Sequence, residues 1–198
     1  MSRLAIFIDG GYLDKIAEKE FGIFIDYEKI SGEIRKVVAS TATDIELLRT
    51  FYYNCLPYQS NPPTPDEALR FSKRQSFYDY LSQLRRFEVR RGRLVFCGLS
   101  DKGEPIFEQK KVDLMLGLDL ALLSGKQQIN HVAIVAGDGD LLPAFEVAKT
   151  EGILVWLFHG PRCSKADGKS TYAQELWLKA DERYEIDLAF MQRTQKIR

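Results

Sequence analysis

The sequence predicts a single α/β domain of three layers, α/β/α, around a mainly parallel central sheet of about five strands. Three observations predict it. Continuous apolar runs of strand length recur at residues 4–8 (LAIFI), 132–136 (VAIVA) and 153–158 (ILVWLF), the pattern of strands buried on both faces. Segments with apolar residues at helical spacing lie between the runs, as parallel strands require of their crossovers. Carboxylates follow two of the runs directly, Asp9 after the first and Asp138 with Asp140 after the second. The carboxyl ends of parallel strands are where open α/β sheets bind ligands.

In chain order, residues 4–8 form the first strand, and Asp9-Gly10-Gly11 turns the chain into a helix through Tyr12, Leu13 and Ile16. A second helix over residues 27–39 repeats apolar groups at Ile30, Ile34 and Val38. Residues 45–55, rich in Tyr and Phe, form a strand ending at Asn54, and the Pro-bearing stretch 56–66 leaves the sheet as an extended loop. Residues 67–84 read as a helix and residues 87–97 as an alternating strand. Residues 98–109 are polar, with Gly and Pro, and suit a hairpin or flap. The apolar helix that follows Lys110 and Lys111 carries Asp113 in its first turn and ends near Gly125. After the strand and helix around Asp138 come the strand 153–158, a basic loop 162–170, a helix over 172–180 and a short closing element to residue 190. The domain is read as residues 1–190, with 191–198 as a polar tail.

Composition narrows the function. Lys plus Arg equals Asp plus Glu at 28 each, so no global basic field would hold a polyanion, and any nucleic acid must be gripped by local patches. The basic region is Arg85, Arg86, Arg90, Arg91 and Arg93, with Lys110 and Lys111 further on. On an alternating strand such arginines can line one face and track phosphates, or simply solubilise it. Tyr52, Tyr53 and Tyr58 can stack on bases or serve as packing. The three cysteines lack a CxxC pair, as expected of reduced thiols in a cytoplasmic protein. No apolar stretch approaches membrane-spanning length.

The acidic residues carry the chemistry. Asp138 and Asp140, one residue apart at a strand-to-helix junction, invite a hard divalent cation such as Mg²⁺ or Mn²⁺, which prefers oxygen ligands. They equally suit helix caps. Asp113 has the same two readings in its helical first turn. Asp119 lies six positions further on, about 240° around the helix, so it cannot face the way Asp113 does and must find its own partner. Asn54 and His159, at strand ends, can border a pocket.

The blocks FIDGGYL (7–13), KKVDLMLGLDL (110–120), AIVAGDGDLLPAFEVAKTEG (133–152) and ELWLKAD (175–181) resemble, in order, the motifs of the NYN domain family. That family is similar to PIN domains and to flap-endonuclease-type nuclease domains. The resemblance implies a metal-dependent ribonuclease, with Asp9, Asp113, Asp138 and Asp140 at the positions of the family's acidic site. Lys110 and Asp119 fall on recurring family positions, Asp181 more loosely. Many members have an asparagine shortly after the first aspartate, where this chain has Gly11-Tyr12.

The expectation is therefore a Mg²⁺- or Mn²⁺-dependent ribonuclease acting on RNA, with a non-catalytic RNA- or protein-binding module as the alternative. A haloacid-dehalogenase-type phosphatase would need an aspartate two residues after Asp9, where Gly11 stands. A dinucleotide site would need a third glycine after Gly137 and Gly139, and would not place carboxylates against a pyrophosphate.

Overall fold

A computed structural model describes residues 2–42, 44–103 and 105–196. Seven strands form one sheet: β1 (Ser2–Asp9), β2 (Ile45–Cys55), β3 (Phe87–Leu99), β4 (Pro105–Lys110), β5 (His131–Val135), β6 (Leu154–His159) and β7 (Glu182–Glu185), in the order β4-β3-β2-β1-β5-β6-β7. All neighbours are parallel except β3 and β4, which pair antiparallel. From β1 the chain builds outward through β2, β3 and β4, then returns to the other side of β1 and builds outward again through β5, β6 and β7. The order therefore reverses between β1 and β5, which opens a crevice at their carboxyl ends.

The helices cover both faces, as an all-buried parallel sheet demands. On one face lie α1 (Gly10–Ile16), extended by one wider turn over Ala17–Phe21, with α2 (Tyr27–Ala39), α3 (Pro65–Gln83) and α7 (Leu188–Arg193). On the other lie α4 (Val112–Gly125), α5 (Leu142–Thr150) and α6 (Gln174–Lys179). Strand alternation divides the core between them. Leu4, Ile6 and Ile8 pack under the first layer and Ala5 and Phe7 under the second, and all five are completely buried. No helix among the described residues is long and apolar enough to cross a membrane.

The three-layer α/β reading holds, with two strands more than the five expected. Both additions are edge strands of polar sequence, β4 (PIFEQK) and β7 (ERYE), neither of which offers an apolar run. The expected tail from residue 191 is also revised. Helix α7 runs to Arg193, Met191 and Thr194 are buried, and Gln195 bridges to Ile25 beside the Asp26 N–H to Thr194 carbonyl bond of 2.8 Å.

Candidate active site at the β1/β5 crevice

Asp9 is the last residue of β1 and caps α1, its Oδ1 accepting from the Tyr12 N–H at 3.1 Å. Gly10 is obligatory there, because a Cβ would stand 2.2 Å from the Tyr52 ring. On the far side of the crevice Asp138 follows β5 by three residues, and its Oδ1 accepts from the Asp140 N–H at 3.0 Å, capping the short turn Gly139–Leu141. The cap reading thus holds for both residues. Asp113 arrives by another route. Strand β4 ends at Lys110, Lys111 adopts a left-handed conformation with φ of 75°, and α4 starts at once, setting Asp113 in its first turn.

These carboxylates feel one another. Burial pushes Asp9 up to about 6, against the Tyr12 N–H bond, and the charges of Asp113 and Asp138 push it further the same way. Asp113 is raised by burial and then by Asp138 and Asp140. The Cys55 thiol, at the end of β2, is raised by burial and by Asp113 and Asp9, so it lies in the same field. None of Asp9, Asp113, Asp138 and Asp140 forms an ion pair with a basic side chain among the described residues. Nor do three or more His, Cys, Asp or Glu side chains there already converge closely enough to hold a metal ion. The four still make a hard, oxygen-rich donor set that fits a divalent cation better than a soft one.

The other candidates scatter. Asp119 accepts from Tyr53 Oη at 3.0 Å and from Arg90 Nε at 2.9 Å, so it fastens α4 to β2 and β3 away from the crevice. Asp181 pairs with Lys149 at 2.6 Å and accepts from the Val155 N–H at 2.9 Å, at the amino-terminal edge of β6, opposite the site. Asn54 is buried, donating to Tyr52 Oη at 3.0 Å. Tyr52 and Tyr53 are wholly buried and cannot stack on a ligand, whereas Tyr58 packs on Phe96 and Phe107 of the β3–β4 hairpin.

The basic patch also comes apart. Alternation along β3 sends Arg90 to the α4 face and Arg91 to the α3 face, so the arginines do not share one side. Arg86 is held by Glu46 and the Leu47 carbonyl, Arg90 by Glu88 and Asp119, Arg91 by Asp79, and Lys110 by Glu108. Arg85, Arg93 and Lys111 are exposed and have no ion-pair partner among the described residues.

Three site neighbours escaped the sequence reading. Glu175, at the start of α6, brings Oε1 to where a Cβ on Gly139 would be 2.1 Å away, beside Asp138 and Asp140. Gln109 of β4 reaches over Gly11, its Nε2 3.4 Å from where a Cβ there would stand. Tyr12, in the place where asparagine was noted for many NYN domains, packs its ring on Gly137 and accepts the Gly160 N–H at 2.8 Å through its hydroxyl. It thereby ties the end of β1 to the ends of β5 and β6. Tyr12 and Glu175 lie in blocks the sequence singled out and Gln109 does not, and nothing local reveals that the loop before Glu175 folds back, through the Ala173 N–H to Gly137 carbonyl bond of 2.8 Å, onto the acidic turn.

A family model of the NYN domain matches residues 3–173, and the chain belongs to that family, which is related to the PIN-like nucleases. None of the curated proteins compared matches the chain.

Proposed function

We propose that the protein is a divalent-metal-dependent ribonuclease that hydrolyses phosphodiester bonds of RNA in the cytoplasm. The observation that carries the reading is the set of four carboxylates at the chain-reversal crevice, unmatched by any cation among the described residues, with Asp9 and Asp113 raised by burial and then by their acidic neighbours, in a chain of the NYN family. Unpaired acids in such a place are an electrostatic cost that a bound cation removes. Asp9, Asp113, Asp138 and Asp140 would hold Mg²⁺ or Mn²⁺, directly or through water. The ion would polarise a phosphoryl oxygen and make water a stronger nucleophile at neutral pH.

The remaining groups position the strand. Lys111, exposed two residues before Asp113, and Arg93 on the adjoining hairpin are free to take phosphate oxygens. Gln109 would donate to the backbone beside Gly11, and Glu175 would orient water near Asp138. The exposed Phe96 and Phe107, with Tyr58 against them, offer apolar faces to unpaired bases at the hairpin.

A non-catalytic binding module is the competing reading, favoured by the fact that Asp9 and Asp138 each already cap a helical turn. Cleavage of end-labelled single-stranded and structured RNA, with DNA controls, in Mg²⁺, Mn²⁺ or EDTA separates the two. Cutting that needs metal and disappears in Asp138→Asn supports the nuclease. RNA bound but left whole by folded wild type under every condition supports the module.

A further inference from the structure

A cleft of about 440 Å³ opens beside α6 at the carboxyl ends of β6 and β7, and none of the residues discussed for the acid site lines it. Its volume is that of a small-ligand site. The segment that walls it also builds the acidic turn. Tyr172 and Gln174 face the cleft, while Thr171 and Ala173 back onto Gly137 and Glu175 onto Gly139.

The lining has a defined chemistry. The Trp177 ring is braced by the Arg183 guanidinium, 4.4 Å from its centroid, and that guanidinium is itself fixed on the carbonyls of Trp177, Leu178 and Ala180. Tyr172 lies 4.3 Å, centroid to centroid, from the buried His159 ring. The partly exposed Trp177 ring, pre-set in this way, accepts a flat base at little entropic cost, and the buried Tyr172 and His159 form the floor beneath it.

Hydrogen-bonding groups then select among bases. His159 Nδ1 meets the Gly160 carbonyl at 2.8 Å, a contact that needs the proton on Nδ1 and leaves Nε2 an acceptor. Burial lowers the His159 pKa, which favours the neutral ring. Glu185, paired with His159 across β6 and β7, is exposed, and its carboxylate has no hydrogen bond or ion pair among the described residues. The cleft is therefore lined by two acceptors on residues directly paired across β6 and β7. Guanine alone among the four RNA bases presents two adjacent donors on its Watson–Crick edge, N1–H and the 2-amino group. Arg162, exposed at the mouth, is free to take a phosphate.

We propose that this cleft is a base subsite that receives an unpaired guanosine of the RNA strand, stacked on Trp177 above the floor that Tyr172 helps to form and read by Glu185 and His159. The assignment rests on the nuclease reading of the crevice, since the strand must continue from the subsite to the acidic turn.

The test is binding, measured in EDTA with Asp138→Asn protein so that no strand is cut. Trp177 fluorescence is titrated with guanosine, adenosine, cytidine and uridine 5′-monophosphates, and with short single-stranded RNAs that contain one guanosine or none. The Trp177→Phe variant identifies the signal from the other tryptophan. Expected are quenching by the guanine nucleotide, and about tenfold tighter binding of the guanosine-bearing RNA that falls to within about twofold in Glu185→Gln. Equal binding of all four nucleotides, or a preference untouched by Glu185→Gln, overturns the subsite. Selective binding of the free guanine nucleotide with no preference among the RNAs overturns its assignment to the strand. Absence of metal-dependent cutting by wild type, with the guanosine preference intact, would sink the nuclease reading and leave the recognition standing.

Discussion

Asp119 and Asp181 share a domain with Asp9, Asp113, Asp138 and Asp140, but their surroundings differ in kind. Each of the first two is met by a cation and a second donor: Arg90 and Tyr53 for Asp119, Lys149 and the Val155 N–H for Asp181. Each of the other four has backbone donors at most, and Asp9 and Asp113 are pushed up by burial and then by carboxylate neighbours. One residue type thus serves two purposes. Where the charge is answered it joins elements together, and where it is left open it is available to something from outside.

The sharpest test removes one open charge. Asp138→Asn keeps an oxygen to cap the Gly139–Leu141 turn, so folding should survive while RNA cleavage falls by about 100-fold or more. Comparable cleavage by wild type and variant would erase the distinction.

Asp9→Asn tests the same group through stability. A carboxyl whose folded pKa is raised to about 6 destabilises the fold when ionised. The stability it allows while protonated is fully present below the unfolded value and is lost as pH rises through the folded one. In metal-free buffer at pH 7.5 Asp9→Asn should therefore be more stable than wild type by about 3 kcal/mol, with the gap closing below about pH 4. Thermal melts across that range check it, and Mn²⁺ should raise the Tm of wild type more than that of the variant.

The answered aspartates should respond in the opposite direction. Asp181→Asn loses the Lys149 pair and weakens the Val155 bond, costing about 1 to 2 kcal/mol at neutral pH, read by urea unfolding. Cleavage per folded molecule should be unchanged. Asp119→Asn, whose pair is also half-buried, should lose about 1 kcal/mol.

The last contrast concerns backbone at the site, and its smallest effect is at Gly139. Gly137→Ala would drive a methyl to 2.4 Å from the Thr171 carbonyl and against the Tyr12 ring, whereas at Gly139 the obstacle is chiefly the movable end of Glu175. Gly137→Ala should cost about 1 to 3 kcal/mol and Gly139→Ala well under 1 kcal/mol, with Glu175 displaced. Denaturant midpoints of the two variants give the ranking.

The fold was legible where burial writes a pattern. The runs at residues 4–8, 132–136 and 153–158 became β1, β5 and β6 because strands covered on both faces need unbroken apolar side chains. Strand β4 was legible only as the hairpin option for residues 98–109, and β7 was not legible, because an edge strand is held by backbone bonds and residues such as Glu108, Gln109 and Glu185 carry no burial pattern. At the site, Asp9 and Asp138 could be placed from topology alone, since one ends a parallel strand and the other stands three residues beyond one. Asp113 could not, because its position depends on β4 leading without a loop into α4. The arginines of β3 misled for a simple reason. Charge along a sequence does not show which residues already face Glu46, Asp79, Glu88 or Asp119.

The left-handed residue between β4 and α4 has a dynamic corollary. Lys111 is the whole joint between Asp113 and a strand whose residues are all exposed and which is bonded along one side only. Asp9 and Asp138, by contrast, are anchored to β1 and β5 at the centre of the sheet. Amide exchange should be faster across β4 than across β1 and β5, and whenever that edge opens the acidic set is briefly dismantled while the rest of the domain stays folded.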